Sequence, residues 1–322
     1  RATTARRQPG SGFKPIVYLS AFESGEVNPL SIFADEPQTY LVNRKEWAPK
    51  NFQNSYLGQT TASWALIRSA NATSVQIVQQ IGPQRVVDTA NRLGVASPLL
   101  PVPSIALGSN EVTMLDMVTA YGTIANAGLR VGPTFISKIV DRNTGQTIYK
   151  HQPRPVPAVD PIDAGVITRL LENVIDRGTG YAVRRLGLKG PAAGKTGTTN
   201  DNTDAWFIGY TPQVVTGVWV GFDSRSGGRK LREKGTGRQI TGGGGAAPIW
   251  TDFMKQISGS DDGTFYIPPG IRTIEIDPLT GLRTSPSDTN DTRSIRIAVP
   301  LDLPISKSDS AGTTLPVDIE AP

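Results

Sequence analysis

The fold of this chain is decided by residues 193–222, which read AGKTGTTNDNTDAWFIGYTPQVVTGVWVGF. This stretch contains three runs rich in β-branched and aromatic residues, and the Asn, Asp and Pro residues between them are typical of turns. The runs are 193–199, 205–210 and 214–222. They predict an antiparallel meander of three strands, with Lys195-Thr196-Gly197 on the first strand.

The chain before these strands has mainly helical patterns. In residues 112–126, apolar side chains recur at helical spacing, which predicts an amphipathic helix facing the core. Further helices are predicted over 13–24, 60–68, 75–81, 85–93, 163–177 and 248–257. A hairpin is predicted over 135–149 and a loop over 26–59. Helices that precede an antiparallel sheet predict an α+β fold in which the helices pack on the sheet.

The composition excludes several kinds of site. The 322-residue chain has no Cys and one His, so a Cys nucleophile, a Cys/His zinc site and a multi-histidine metal site are ruled out. A Ser-His-Asp triad would have to use His151, which lies in a loop-like stretch. We therefore expect no metal or cofactor, and a base drawn from Lys, Asp or Glu. The net charge is +5, but the sequence contains no zinc-finger, RNP or basic-helix pattern, so no nucleic-acid partner is predicted.

A serine and a lysine near the amino terminus are candidates for nucleophilic chemistry. Lys14 follows Ser11 by three residues, and on a helix such residues share a face, so the lysine nitrogen could reach the hydroxyl. A neutral lysine can act as the base, and burial or a nearby cation such as Lys195 favours the neutral form. The alternative is that Ser11 caps a helix and Lys14 lies on the surface.

A second motif, Ser69-Ala70-Asn71, follows the helix predicted over 60–68. The Ser69 hydroxyl could relay a proton between Lys14 and a leaving group. The Asn71 amide could bond both a lysine and a substrate carbonyl. The alternative for this motif is a turn that links two helices.

The third motif is Lys195-Thr196-Gly197-Thr198. Alternate side chains of a strand face one way, so Thr196 and Thr198 would project together and, beside Lys195, suit a substrate carboxylate. Gly197 leaves room for a ligand against the strand. The backbone N–H groups of Ser11 and Thr198 could stabilise an oxyanion.

Gly194-Lys195-Thr196 also matches the end of a phosphate-binding P-loop. That motif needs G-x-x-x-x-G-K-[ST], and the spacing from Gly190 is one residue short. Pro191 stiffens the segment, and a strand rather than a helix is predicted to follow. The sequence therefore disfavours nucleotide binding.

With its three motifs in order, the chain resembles the transpeptidase domain of penicillin-binding proteins, in particular the class A, bifunctional members. Longer stretches carry the resemblance beyond the motifs, and together they run from residue 1 to about residue 257. These stretches are 7–15, 56–58, 65–66, 204–212 and 241–248.

The resemblance implies a D-alanyl-D-alanine transpeptidase that cross-links peptidoglycan stem peptides. Ser11 would be the nucleophile and Lys14 its base, while Ser69 and Asn71 would relay the proton and position the substrate. Lys195, Thr196 and Thr198 would hold the substrate carboxylate. β-Lactam antibiotics would acylate Ser11 as substrate mimics.

The resemblance also carries expectations about the whole protein. Class A members have an upstream glycosyltransferase domain and a membrane anchor, and two sheet strands precede their nucleophile helix. We therefore expect an N-terminally truncated chain with an incomplete sheet, a partial transpeptidase domain over 1–258 and a poorly packed tail over 259–322. The partners would be a stem peptide on a lipid-linked precursor and β-lactams, at the periplasmic face of the bacterial inner membrane.

Two other functions stay open. A serine β-lactamase or D,D-carboxypeptidase would use the same nucleophile but deacylate with water, and no Glu is clearly placed to activate that water. The non-enzymatic alternative is a β-lactam sensor or an inactive wall-binding module. The presence of all expected catalytic side chains argues against this alternative.

Overall fold

The computed structural model describes residues 1–199, 201–223, 229–257, 263–284 and 294–305. The helices in this part are α1 (Lys14–Glu23), α2 (Ala62–Arg68), α3 (Asn71–Ile81), α4 (Pro83–Leu93), α5 (Met114–Ala125), α6 (Pro161–Asp176), α7 (Ala182–Arg185) and α8 (Ala247–Ile257). The strands are β1 (Ile32–Asp35), β2 (Tyr40–Val42), β3 (Lys45–Trp47), β4 (Gly58–Thr61), β5 (Leu129–Arg130), β6 (Lys138–Val140), β7 (Thr147–Lys150), β8 (Val156–Pro157), β9 (Ala193–Thr198), β10 (Asp204–Tyr210), β11 (Val215–Gly221), β12 (Ile271–Ile276) and β13 (Ile295–Pro300).

The predicted meander is confirmed. Strands β9, β10 and β11 form an antiparallel sheet in the order β11-β10-β9, and Trp206 of β10 lies opposite Gly197 on one side and Trp219 on the other. Within the described residues β11 pairs with β10 alone, so its other edge carries no strand. The combination of helices and an antiparallel sheet confirms the α+β class.

Both faces of this sheet are covered, because alternate residues of β10 point to opposite sides. Trp206, Ile208 and Tyr210 belong to the main core, together with α1, α5 and α6. Phe207 instead packs in a second core with Trp250 of α8, at a ring-centroid distance of 5.0 Å. All seven residues of β10 are buried as a result.

Helix α1 is the centre of the main core. Every residue from Lys14 to Phe22 is buried, and α2, α3, α4 and α6 all contact this helix. A helix that is buried on all sides needs no polar face, which explains its largely apolar sequence. The buried Lys14 side chain therefore depends on hydrogen-bond partners within the protein.

The structure differs from the sequence prediction in the 26–59 region. The predicted loop contains four short strands, of which β1 pairs with β4 and β2 pairs with β3. These strands have three or four residues each, and mixed burial hides the alternation that marks a strand.

The segment beyond residue 259 also differs from the predicted poorly packed tail. Strands β12 and β13 pair antiparallel, and Ile276, Ile297 and Val299 are buried in the main core. Helix α6 contacts both strands. The boundary at residue 258 between a transpeptidase domain and a tail stays a prediction, and residues 259–262, 285–293 and 306–322 of that tail lie outside the described residues.

Among the described residues, no helix has both the length and the apolar character needed to cross a bilayer.

Phe207→Ala should lower the free energy of unfolding by about 3–5 kcal/mol, because it leaves a cavity against Trp250 in the second core. Chemical denaturation followed by tryptophan fluorescence measures this change. Phe135→Ala is the matched control, since the Phe135 side chain is 78% exposed and its loss should change the stability little. Equal effects of the two substitutions would contradict this description of the core.

Candidate active site

Ser11 lies in a turn of 3₁₀-helix, Gly10–Phe13, which leads directly into α1. The sequence prediction placed the helix over 13–24 with Ser11 at its N-terminus, and the observed α-helix begins at Lys14. The backbone N–H of Lys14 donates to the Ser11 carbonyl, and Lys14 keeps helical angles (φ −56°, ψ −38°) despite the following proline. Pro15 fits there because the first turn of a helix needs no N–H donor.

The Ser11 turn packs directly against β9. A Cβ atom on Gly197 would lie 2.2 Å from the Pro9 carbonyl oxygen, and one on Gly10 would lie 2.6 Å from the Thr198 carbonyl oxygen. Gly10 also has φ +56°, a conformation that suits glycine. The two glycines therefore let the predicted nucleophile turn and the Lys195-Thr196-Gly197 strand meet at backbone distance.

Ser69 occupies the break between α2 and α3, as predicted, with a left-handed backbone (φ 62°, ψ 35°). Its hydroxyl oxygen accepts hydrogen bonds from two lysines, from Lys195 Nζ at 2.9 Å and from Lys14 Nζ at 3.4 Å. Lys14 and Lys195, which are 181 positions apart in the chain, therefore meet at one serine hydroxyl.

Lys14 is fully buried and is surrounded by oxygen atoms. Its Nζ donates to the backbone oxygens of Ser69 (2.6 Å) and Ala70 (3.0 Å), and to Oδ1 of Asn71 (2.7 Å). Among the described residues, no hydrogen bond joins Lys14 to the Ser11 hydroxyl, so their direct pairing stays a prediction.

Burial is the largest influence on the pKa of both lysines. Burial lowers the pKa of Lys14 well below its ordinary value of 10.5; Lys195 lowers this pKa further, and the carboxylate of Asp35 opposes the shift. Burial also lowers the pKa of Lys195 to about 7. A lysine that can lose its proton near neutral pH can accept a proton from a nucleophile.

The two threonines of β9 contact residues to which the sequence analysis assigned no role in the site. The Thr196 hydroxyl hydrogen-bonds the Thr179 hydroxyl at 2.8 Å, and Thr198 Oγ1 accepts from the Gly242 N–H at 3.0 Å. Thr179 follows α6, and Gly242 begins the glycine run before α8. The run of four glycines was a sequence feature that could have marked Gly242 as part of the site, whereas no sequence feature marked Thr179.

Tyr121 of α5 also reaches the site. Its position in a helical stripe predicted a core residue, and it is fully buried. Its hydroxyl nevertheless donates to the Gly12 carbonyl at 2.7 Å, which fixes the residue that follows Ser11.

The alternative sites from the sequence analysis do not fit this geometry. Lys195 lies inside a strand that turns into β10, whereas a P-loop lysine begins a helix. His151 follows β7, and its ring hydrogen-bonds the Tyr149 hydroxyl at 3.3 Å.

Comparison with known proteins agrees with these motifs. Residues 1–234 match the family described as penicillin binding protein transpeptidase domain. The chain is similar to penicillin-binding protein 1A of Rickettsia typhi, at 36% identity over 307 residues, which cover 87% of this chain and 38% of the relative. The chain therefore spans less than two fifths of the length of this curated relative.

Two solved structures share the fold. Penicillin-binding protein 1A from Haemophilus influenzae superposes with a TM-score of 0.80 at 28% identity, covering 92% of this chain and 48% of that one. The PonA1 protein from Mycobacterium tuberculosis, in complex with penicillin V, gives a TM-score of 0.71 at 28% identity, covering 82% and 76%.

The pKa of Lys195 predicts how stability depends on pH. Between pH 7 and 10.5 the unfolded chain keeps the proton of this lysine and the folded chain releases it, so the free energy of unfolding should rise with pH in that window. Lys195→Met should flatten this rise, as measured by urea denaturation across the window. Lys138→Met, a change at an exposed lysine, is the control and should keep the wild-type slope. An unchanged slope in Lys195→Met would contradict the shifted pKa.

Proposed function

Because this chain belongs to the penicillin-binding protein transpeptidase family, we propose that it cross-links peptidoglycan as a D-alanyl-D-alanine transpeptidase, through a serine acyl-enzyme. The observation that carries the proposal is the Ser69 hydroxyl between two buried lysines, one of which, Lys14, directly follows the turn that contains Ser11. Such a cluster offers a base, a proton relay and a positive charge within one water-poor space.

In the proposed acylation step, the Ser11 oxygen attacks the carbonyl carbon of the penultimate D-Ala of a stem peptide. Lys14, in its neutral form, accepts the hydroxyl proton. The negative charge moves to the carbonyl oxygen, where the N–H groups of Ser11 and Thr198 stabilise it. Losing one such donor typically costs about 2.7–4 kcal/mol of transition-state stabilisation.

The leaving group then needs a proton. Ser69 contacts both Lys14 and Lys195, so its hydroxyl can pass the proton from Lys14 to the departing amine of the terminal D-Ala. Asn71 keeps Lys14 in place and offers its amide to the substrate. An amine of a second stem peptide next attacks the acyl-enzyme ester, the C–O bond to Ser11 breaks, and the amine proton passes by way of Lys14 to the Ser11 oxygen, which completes the cross-link.

The carboxylate of the terminal D-Ala is proposed to lie along β9. Lys195 supplies a positive charge when protonated, and Thr196 and Thr198 supply hydroxyl groups. The expectation that Gly197 leaves room for a ligand is not met, because the space beside it is taken by the Pro9 carbonyl of the Ser11 turn. β-Lactams, which present a similar carboxylate beside a reactive amide, are proposed to acylate Ser11 in the same position.

Asp35 is not available as the water-activating base that hydrolysis of the acyl-enzyme would need. Asp35 is the carboxylate that acts on Lys14, yet it is buried, and its oxygens accept hydrogen bonds from Asn51, Leu57 and Thr73. A carboxylate engaged in this way cannot also activate a water molecule. We therefore expect a long-lived β-lactam adduct rather than the rapid turnover of a β-lactamase.

For the whole protein, we propose a lipid-linked precursor as the substrate source and a site of action at the periplasmic face of the inner membrane. The support is the similarity to penicillin-binding protein 1A, of which this chain covers 38%. The anchor would lie in the remaining part of such a protein.

Ser11→Ala should abolish covalent labelling by a fluorescent penicillin, because the attacking oxygen is removed. Mass spectrometry of the intact chain measures the adduct. Ser55→Ala, a change at an exposed serine, should label like the wild type. Persistent labelling of the Ser11→Ala variant would refute the nucleophile assignment.

Lys14→Met should slow acylation by roughly 10²–10⁴-fold, the usual contribution of a general base. The fluorescent-penicillin acylation rate measures this change, and Lys138→Met is again the control. An unchanged rate in Lys14→Met would remove this lysine from the role of base.

A further inference from the structure

A buried carboxylate lies next to the site, in the region that the sequence predicted to be a loop. Asp35, the last residue of β1, has no solvent exposure. Its Oδ2 accepts from Asn51 Nδ2 at 2.7 Å and from the Leu57 N–H at 2.8 Å, and its Oδ1 accepts from Thr73 Oγ1 at 3.1 Å. A buried charge is tolerated when it is hydrogen-bonded to this extent, and such networks hold their members rigidly.

Asn51 connects this carboxylate to the Ser69-Ala70-Asn71 motif. Because its amide nitrogen is bound to Asp35, its Oδ1 faces α3, where it accepts from the N–H groups of Asn71 (2.6 Å) and Ala72 (3.0 Å). The residue before α3 is Ala70, whose side chain cannot cap the helix. Asn51 therefore takes the role of a capping residue from a distant part of the chain.

The Asn71 side chain is held by the same segment. Its Nδ2 donates to the carbonyl of Lys50 at 2.7 Å, which leaves Oδ1 to accept from Lys14 Nζ at 2.7 Å. A continuous chain of hydrogen bonds thus runs from Asp35 through Asn51 and Asn71 to Lys14.

We propose that Asp35 and Asn51 are positioning residues that hold Asn71 and Lys14 in the geometry required for acylation of Ser11. This inference rests on the proposed function. Asp35 acts in two ways, by orienting the Asn51 amide and by placing a negative charge near Lys14. Asn51 acts by fixing the first turn of α3.

The charge of Asp35 predicts a distinct effect on the pH profile. The charged groups that act on Lys14 are Lys195 from β9 and Asp35 from β1, and the neighbouring Tyr18 is buried with its hydroxyl on Ser74. Since the Asp35 carboxylate opposes the lowering of the Lys14 pKa, Asp35→Asn should move the rise of acylation rate to lower pH.

The central test uses Asn51→Ala in the full chain. Two readouts are compared: the acylation rate constant with a fluorescent penicillin, separated from its non-covalent binding constant, and amide hydrogen exchange. We expect acylation to slow about 10–100-fold with unchanged non-covalent binding, because misplacement of about 1 Å costs on this scale. The amides of Asn71 and Ala72 should lose protection from exchange.

Matched controls separate positioning from loss of stability. Asn110 is a buried asparagine that likewise bonds backbone, at Leu100, and Asp116 is a buried carboxylate that accepts from Ser97 and Thr113. Asn110→Ala and Asp116→Asn should keep the wild-type acylation rate and pH profile at temperatures where all variants are folded.

Three outcomes would overturn the inference. These are an acylation rate of Asn51→Ala no lower than that of Asn110→Ala, unchanged exchange at Asn71 and Ala72, and a pH profile of Asp35→Asn equal to that of Asp116→Asn. If the wild-type chain is not acylated at Ser11, the proposed function fails, and the exchange at Asn71 and Ala72 still decides whether Asn51 holds α3.

Discussion

Two lysine side chains without solvent exposure donate hydrogen bonds to one serine hydroxyl. The free-energy cost of burying two ammonium groups determines which groups must surround them. A buried ammonium must be hydrogen-bonded or give up its proton. Lys14 has both options, because carbonyl oxygens from the break between α2 and α3 face it while burial lowers its pKa. The left-handed backbone at Ser69 belongs to this arrangement, since the helix ends there and its carbonyl becomes available.

The parts of the fold that depend on local sequence were predictable. The three β-rich runs gave the meander, and the helical stripe that includes Tyr121 and Ile124 gave α5, because in each case the side-chain period matches the element. The order of the three motifs brought Lys14, Ser69, Asn71 and Lys195 into one hypothesis, and the structure places these four side chains in contact.

The parts that depend on distant contacts were not predictable. Asp35 and Asn51 lie in a segment rich in Pro, Asn and Gln, and what makes them important is their bond to each other and to α3. Ser11 was placed at the N-terminus of the helix predicted over 13–24, and the 3₁₀ turn that contains it, packed against β9, was not predicted. The strand β12 does alternate, with Ile274 and Ile276 on the buried side, but the surrounding composition outweighed that signal.

The contact between the Ser11 turn and β9 also limits how this protein can vary. Any side chain at Gly197 or Gly10 would place its first carbon within 2.2 Å or 2.6 Å of a main-chain oxygen that belongs to the opposite segment. Both neighbours are backbone, so no rotamer change relieves the overlap. Adaptation of this site, under selection by a drug or by a new substrate, is therefore constrained at these two positions, where any replacement requires the opposite backbone to move.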